Sequence, residues 1–162
     1  MKRLPCLTVP CVLLFVLALA RAGETPAYKL SERESKILEQ TNQERKKKDL
    51  PPLKHNPLLS RVARAHSANM GKQMKMEHTL DGKSPFDRMR EAGYQFRRAG
   101  ENVAFGYPKM PTMDIIRAWM ESKGHRENIL STDYTEIGVG AAEGMDGKIY
   151  YTQVFGTPFG KR

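Results

Sequence analysis

The side chains able to do chemistry in this 162-residue chain are four histidines, 18 acidic residues and two cysteines, Cys6 and Cys11, confined to the N-terminus. Beyond Cys11 there is no thiol to act as nucleophile or metal ligand. The histidines follow none of the common hydrolase templates. There is no His-Glu-x-x-His zinc helix, no glycine-rich phosphate loop and no Gly-x-Ser-x-Gly nucleophile elbow. What remains is a set of polar residues in three short punctuated segments: Glu77-His78-Thr79, Gly100-Glu101-Asn102-Val103-Ala104 and Gly124-His125-Arg126-Glu127-Asn128-Ile129-Leu130. Neutral imidazoles bind borderline divalent metals such as zinc, and a nearby carboxylate can fix a tautomer or hold a water.

These segments need elements to carry them. Ser31-Glu-Arg-Glu34 forms a capping box that opens a helix running to about Lys48, with Ile37, Leu38 and Thr41 on its inner face. Asn56-Pro57 starts a second, in which Leu58, Leu59, Val62, Ala63, His66, Met70 and Met74 recur at helical spacing as one buried stripe. His66 in that stripe reads as a satisfied core histidine, and His55 as a surface one. After the Asp81-Gly82 loop, Ser84-Pro85 caps a third helix that should stop at Gly93. Arg97 to Gly106 reads as a strand or extended loop. Pro111 to Met120 reads as a fourth helix halted near Gly124, with Trp119 as a core anchor whose N–H needs a partner. Ile137–Glu143 and Lys148–Phe155 flank Met145-Asp146-Gly147, a strong hairpin signal. Helices first and an antiparallel hairpin last make an α+β domain. Asn102 and Asn128 are expected to cap or brace loops.

The N-terminus reads as an export signal, residues 1–22. Lys2 and Arg3 precede an apolar stretch from Leu4 to Ala20, and Ala20-Arg21-Ala22 is a small-residue cleavage site. Cleavage would leave residues 23–30 as a short tail and 31–162 as a single domain, free of cysteine and large enough to hold itself together by its core. It also removes Lys2, Arg3 and Arg21, lowering the formal net charge from +9 to +6. A basic exported domain favours anionic envelope surfaces. Its run Arg45-Lys46-Lys47-Lys48 is expected to be a solvated helix terminus complementing the macrodipole. Nucleic acid is disfavoured by export and by the lack of aromatics among the basic residues. No other stretch is long and apolar enough to cross a bilayer.

Several motifs occur in a telling order: Asn42-Gln43-Glu44-Arg45, Ala65-His66-Ser67-Ala68-Asn69-Met70, His78-Thr79, Ala99-Gly100-Glu101-Asn102-Val103-Ala104 and Trp119 through Leu130. The series closes with Tyr134-Thr135-Glu136-Ile137-Gly138-Val139-Gly140 and Tyr151-Thr152-Gln153-Val154-Phe155. Taken together the chain resembles the CAP superfamily of cysteine-rich secretory proteins, venom antigens and pathogenesis-related proteins, in its compact cysteine-free bacterial type. The resemblance implies an α-β-α sandwich, with helices on both sides of a small, mainly antiparallel sheet. It also implies a central cleft in which His78 and His125 meet the acid Glu101, the two histidines being the candidate ligands for zinc or another divalent cation.

One departure touches that cleft. Larger family members carry a second glutamate three residues after the helix tryptophan, where this chain has Ser122, and its Glu121 comes one residue early. A one-residue shift turns a helical side chain by about 100°, so Glu121 is expected to leave the cleft. The function expected is that of a secreted, monomeric, non-enzymatic binding module requiring no cofactor. It would act in the periplasm, wall or medium on a lipid or sterol, an anionic envelope component or a protein partner. The alternative is a metal-dependent hydrolase or protease with Glu101 as general base.

Overall fold

The computed structural model of the chain describes residues 28–160, so the expected leader lies outside the described residues. Helix α1, Glu32–Lys46, opens with the reciprocal Ser31/Glu34 capping box. Helix α2, Pro57–Gln73, starts where Asn56 Oδ1 accepts the N–H groups of Leu58 and Leu59 at 2.9 and 3.2 Å. A second capping box, Ser84/Asp87, opens α3, Pro85–Glu91, and Gly93 follows it with φ +86°. Strand β1 is the short Lys54–His55, and β2 is Phe96–Gly106. Helices α4, Thr112–Glu121, and α5, Lys123–Leu130, precede the hairpin of β3, Glu136–Glu143, and β4, Ile149–Pro158.

The four strands lie in the order β1-β3-β4-β2, with β1 parallel to β3 and the other pairs antiparallel. Side chains alternate across this sheet, and two cores form. Ile149, Tyr151 and Phe155 of β4 face α1, α4 and α5, packing with Ile37, Ile116, Trp119 and Ile129. On the other face Val154 meets Leu59, Val62 and Ala63 of α2 and Met89 of α3, while Tyr150 meets Met70 and Val103. Each such side chain taken out of water contributes about 1.5–3 kcal/mol. The result is the expected α-β-α sandwich. Trp119 is its anchor, 1% exposed, with its indole N–H donated to Val103 O at 3.0 Å.

Helix α2 lies so close on β3 that glycine is required beneath it. A Cβ on Gly138 would stand 2.1 Å from Leu59 C, and one on Gly140 2.2 Å from Ala63 C. Side chains also finish the sheet's rims. Along β2, Tyr134 Oη, Asn128 Nδ2 and Trp119 Nε1 donate to the carbonyls of Ala99, Glu101 and Val103 at 3.2, 3.2 and 3.0 Å. Along β3, the N–H groups of Val139 and Ala141 donate to Ser60 Oγ and Glu34 Oε1 at 3.0 and 3.1 Å.

Four expectations need correction. Gly124 does not halt a helix. Ser122, extended at φ −85° and ψ 124°, ends α4 and starts α5 at once, and Gly124 sits in the first turn of α5. Arg45 is not solvated like Lys46 to Lys48: it is 2% exposed, and its guanidinium donates to Pro51 O, Ile129 O and Ser131 O at 2.9, 2.8 and 2.7 Å. Met74 leaves the buried stripe of α2 because it is the left-handed cap, φ 54°, and is 55% exposed. His55 is not a plain surface histidine but half-buried in β1, with Nε2 3.0 Å from Ser60 Oγ.

Candidate functional site

The candidate site straddles β2, whose consecutive residues Glu101 and Asn102 point to opposite faces of the sheet. Glu101 turns toward the α2–α3 layer, where its side chain is 2% exposed. Both of its carboxylate oxygens are engaged there. His78 Nδ1 lies 2.9 Å from Oε1, and Arg88 Nη2 donates to Oε2 at 2.7 Å. Arg88 also braces the loop that carries His78, donating from Nη1 to the carbonyls of His78 and Lys83 at 3.0 and 2.8 Å. A buried carboxylate held by a charge-assisted bond to guanidinium is a strong, fixed element.

Asn102 works on the opposite face. Its Nδ2 donates to His125 O at 3.1 Å and to Gln153 Oε1 at 3.0 Å, and its Oδ1 accepts from Asn128 Nδ2 at 2.9 Å. Gln153 in turn donates to Thr41 Oγ1 of α1 at 2.6 Å. This buried chain of amides seats the first turn of α5, and with it His125, against the strand. The two imidazoles then meet across the rim of β2, ring centroids 6.5 Å apart and tilted by 46°. His78 is half-exposed. Burial, and then the neighbouring His78, hold the His125 imidazole below the usual histidine range.

The structure thus brings His78, Glu101 and His125 together, and Glu121 stands exposed at the end of α4. Glu101 is both loop organiser and histidine partner. Asn102 and Asn128 brace the site, as expected of them. His66 departs in part from its reading as a satisfied core histidine. Its Nε2 lies 2.9 Å from Glu77 O and 3.8 Å from Glu101 Oε1, but its Nδ1 is buried without a hydrogen-bond partner among the described residues. Burial lowers its pKa, Glu101 opposes that, and Arg88 adds to it. Arg88 was missed by sequence reasoning. No spacing rule ties an arginine on a short helix to a carboxylate 13 positions later.

A resident zinc fits this donor set poorly. Among the described residues no group of three or more His, Cys, Asp or Glu is placed to hold a metal ion. Glu101 is taken up by Arg88 and His78, which leaves two imidazoles where zinc sites use three or four protein ligands.

Fold and site together define a compact three-layer domain of the SCP type, built without cysteine. Residues 38–155 match the model of the cysteine-rich secretory protein family, CAP. The chain belongs to that family. It is 42% identical over 128 residues to the uncharacterized protein YkwD of Bacillus subtilis (strain 168), a match covering 78% of this chain and 48% of that one. The solved structure of an extracellular protein containing a SCP domain from Bacillus anthracis str. Ames is similar at 30% identity and a TM-score of 0.67, covering 76% of this chain and 40% of the other. An outer surface protein from Borrelia burgdorferi shares the fold, with a TM-score of 0.74 and 24% identity over 81% of this chain and 96% of its own. The chain spans about half the length of YkwD and 34% of a second curated relative, the uncharacterized membrane protein YlbC of Bacillus subtilis (strain 168). Among the described residues no helix is long and apolar enough to cross a membrane.

Proposed function

We propose that this chain is an exported CAP-domain binding module, non-enzymatic, which captures a lipid, an envelope component or a protein partner outside the cytoplasm at the His78/His125 cleft. The observation that carries this reading is the state of Glu101. A general base must reach the proton that it abstracts, and here both carboxylate oxygens are already bound, one to Arg88 and one to His78, in a pocket that leaves the side chain 2% exposed. The same bonds fix His78 as a rigid rim opposite His125, which suits recognition. Among the described residues the hydrolase alternative has no third metal ligand, and Glu101, its candidate base, is already taken up by Arg88 and His78, which favours binding over catalysis.

Binding of fatty acids, sterols and solubilised envelope fractions to the exported protein tests the proposal, with His78→Ala and His125→Ala as variants. Saturable binding weakened about tenfold or more in both variants is expected, in line with loss of central contacts. Unchanged binding in both would remove the cleft from the function, and ester or peptide hydrolysis lost in both would replace the binding module by an enzyme.

A further inference from the structure

We propose that the segment leaving α2 is a binding site for the soft monovalent cation Cu(I), held by the thioethers of Met74 and Met76 and the imidazole of His78. The site goes beyond the binding reading above and shares only His78 with it. Met74-Lys75-Met76-Glu77-His78 places two methionines and a histidine at alternate positions, and all three are exposed, Met74 at 55%, Met76 at 43% and the His78 side chain at 49%. Methionine ordinarily fills gaps in a core, as Met70 and Met89 do here at 0% exposure. Two thioethers held in water beside an imidazole gain little from packing and stand free to act as ligands.

The backbone under these donors is fixed. Met74 is the left-handed cap of α2, φ 54°, and the Lys75 N–H donates to Met70 O at 3.0 Å. Residues 75–77 belong to neither helix nor strand, but the Glu77 carbonyl accepts from His66 Nε2 at 2.9 Å and the His78 carbonyl from Arg88 Nη1 at 3.0 Å. Two residues of chain span at most about 7 Å, so Met76 has a donor within reach on either side, and the unbranched thioether arms can close on one ion. The His78 ring is set as metal-bound histidines are. Its Nδ1 faces Glu101 Oε1 at 2.9 Å, so the proton sits on Nδ1, and Nε2 presents a lone pair with no partner among the described residues.

Donor chemistry selects the ion. Thioether sulfur is a soft ligand that favours Cu(I), whereas zinc takes imidazole, thiolate and carboxylate, and calcium or magnesium takes oxygen. With no thiol beyond Cys11, methionine is the soft donor that the domain has. All three donors are neutral, and Lys75 and Glu77 between them offset each other. Of the charges around the segment, Arg88 is paired with Glu101, and Lys72 and Lys83 lie in the field of Asp81. A neutral donor set in balanced surroundings suits a singly charged ion over a divalent one.

The test uses protein recovered after export from expressing cells, carrying Cys6→Ala and Cys11→Ala so that no thiol takes the metal. Under argon with ascorbate, Cu(I) is partitioned between the protein and the coloured chelator bicinchoninate. The protein should take a single equivalent, and zinc in about tenfold excess should leave it in place. Altering groups that merely orient a metal ligand already costs about 10–100-fold in affinity, so Met74→Leu with Met76→Leu should weaken binding at least about a hundredfold and His78→Ala at least about tenfold. Leucine is close to methionine in volume and both positions are exposed, so circular dichroism and the thermal midpoint of the double variant should not move. His125→Ala should bind Cu(I) undiminished, which separates this site from the cleft, as should Met113→Leu, an exposed thioether on α4 on the other face of the sheet. With Ag(I), a redox-silent stand-in, the methyl resonances of Met74 and Met76 and the ring resonances of His78 should shift together. Failure to take up Cu(I) overturns the proposal, as does binding that the methionine double variant retains in full. Equal loss in His125→Ala would assign the metal to the histidine pair and also overturn it.

Discussion

Arg88 and Glu101 form the ionic centre of the site: the guanidinium donates to Oε2 at 2.7 Å, and the side chains are 13% and 2% exposed. Removing one member of such a pair strands the other charge out of water. Arg88→Ala should therefore lower unfolding stability by about 3 kcal/mol or more, read from urea denaturation. Glu101→Gln, which keeps an oxygen for His78 or Arg88, should cost less. A loss below about 1 kcal/mol for Arg88→Ala would show that the pair is solvated in practice.

Asn102 should report on His125 without touching its ring. Asn102→Ala takes its side-chain donor from the His125 carbonyl and Gln153 Oε1, while Asn128 Nδ2 keeps Glu101 O, at a cost of about 1–3 kcal/mol for each group stranded. The His125 ring resonances should shift and broaden, while those of His55, on β1, stay in place. Unmoved His125 resonances would mean that α5 is seated by packing alone.

The glycines under α2 give a sharper test of the packing. Gly138→Ala and Gly140→Ala each push a methyl carbon into helix backbone, at 2.1 and 2.2 Å, where no rotamer change can relieve it. Each should destabilise by about 3 kcal/mol or more, the upper range for overpacking, measured by thermal or urea unfolding. Gly147→Ala in the hairpin turn has open space around it and should cost only the strain of φ +73°, about 1–2 kcal/mol.

Acid should weaken the fold in a defined window. Burial lowers the pKa of His55, His66 and His125 from the ordinary histidine value of 6.5. Below that value the unfolded chain binds protons that the folded chain resists, so the contribution of neutral imidazole is complete above about pH 6.5 and fades as pH falls through the folded-state pKa values. Denaturation midpoints should be level from pH 7 to 8 and drop as pH falls below about 6.5. His66→Gln should flatten that slope. A midpoint that rises on acidification would contradict it.

Zinc should bind weakly at most. With two imidazoles as donors, calorimetry at pH 7.5 should give a dissociation constant above about 1 μM, and chelator should leave the thermal midpoint unchanged. Submicromolar zinc binding, lost in both His78→Ala and His125→Ala, would require a third ligand to move into place.

Much of this architecture is legible in the sequence because it is local. The Ser31/Glu34 capping box, the Ser84-Pro85 and Asn56-Pro57 helix starts, and the hairpin around Gly147 are each written within a few residues. The histidine pair was legible through motif order, since no periodicity relates position 78 to position 125. What stayed hidden is non-local. Strand β1 is two residues long, too short for any pattern, and exists because Lys54 and His55 pair with Glu136 and Ile137. Arg45 sits in a run of four basic residues, and the carbonyls of Ile129 and Ser131, more than 80 positions away, join Pro51 O in drawing it inward. The break between α4 and α5 is set at Ser122 by backbone torsion, which composition does not display.

The two rims of the sheet, closed by Tyr134, Asn128 and Trp119 on one side and by Ser60 and Glu34 on the other, have a consequence for how copies of the chain meet. An unfinished strand is a template on which a second chain can add, and repetition of that step yields fibrils and insoluble deposits. Capping the strands with its own side chains denies neighbouring molecules a foothold, so that copies can accumulate at high density and stay separate.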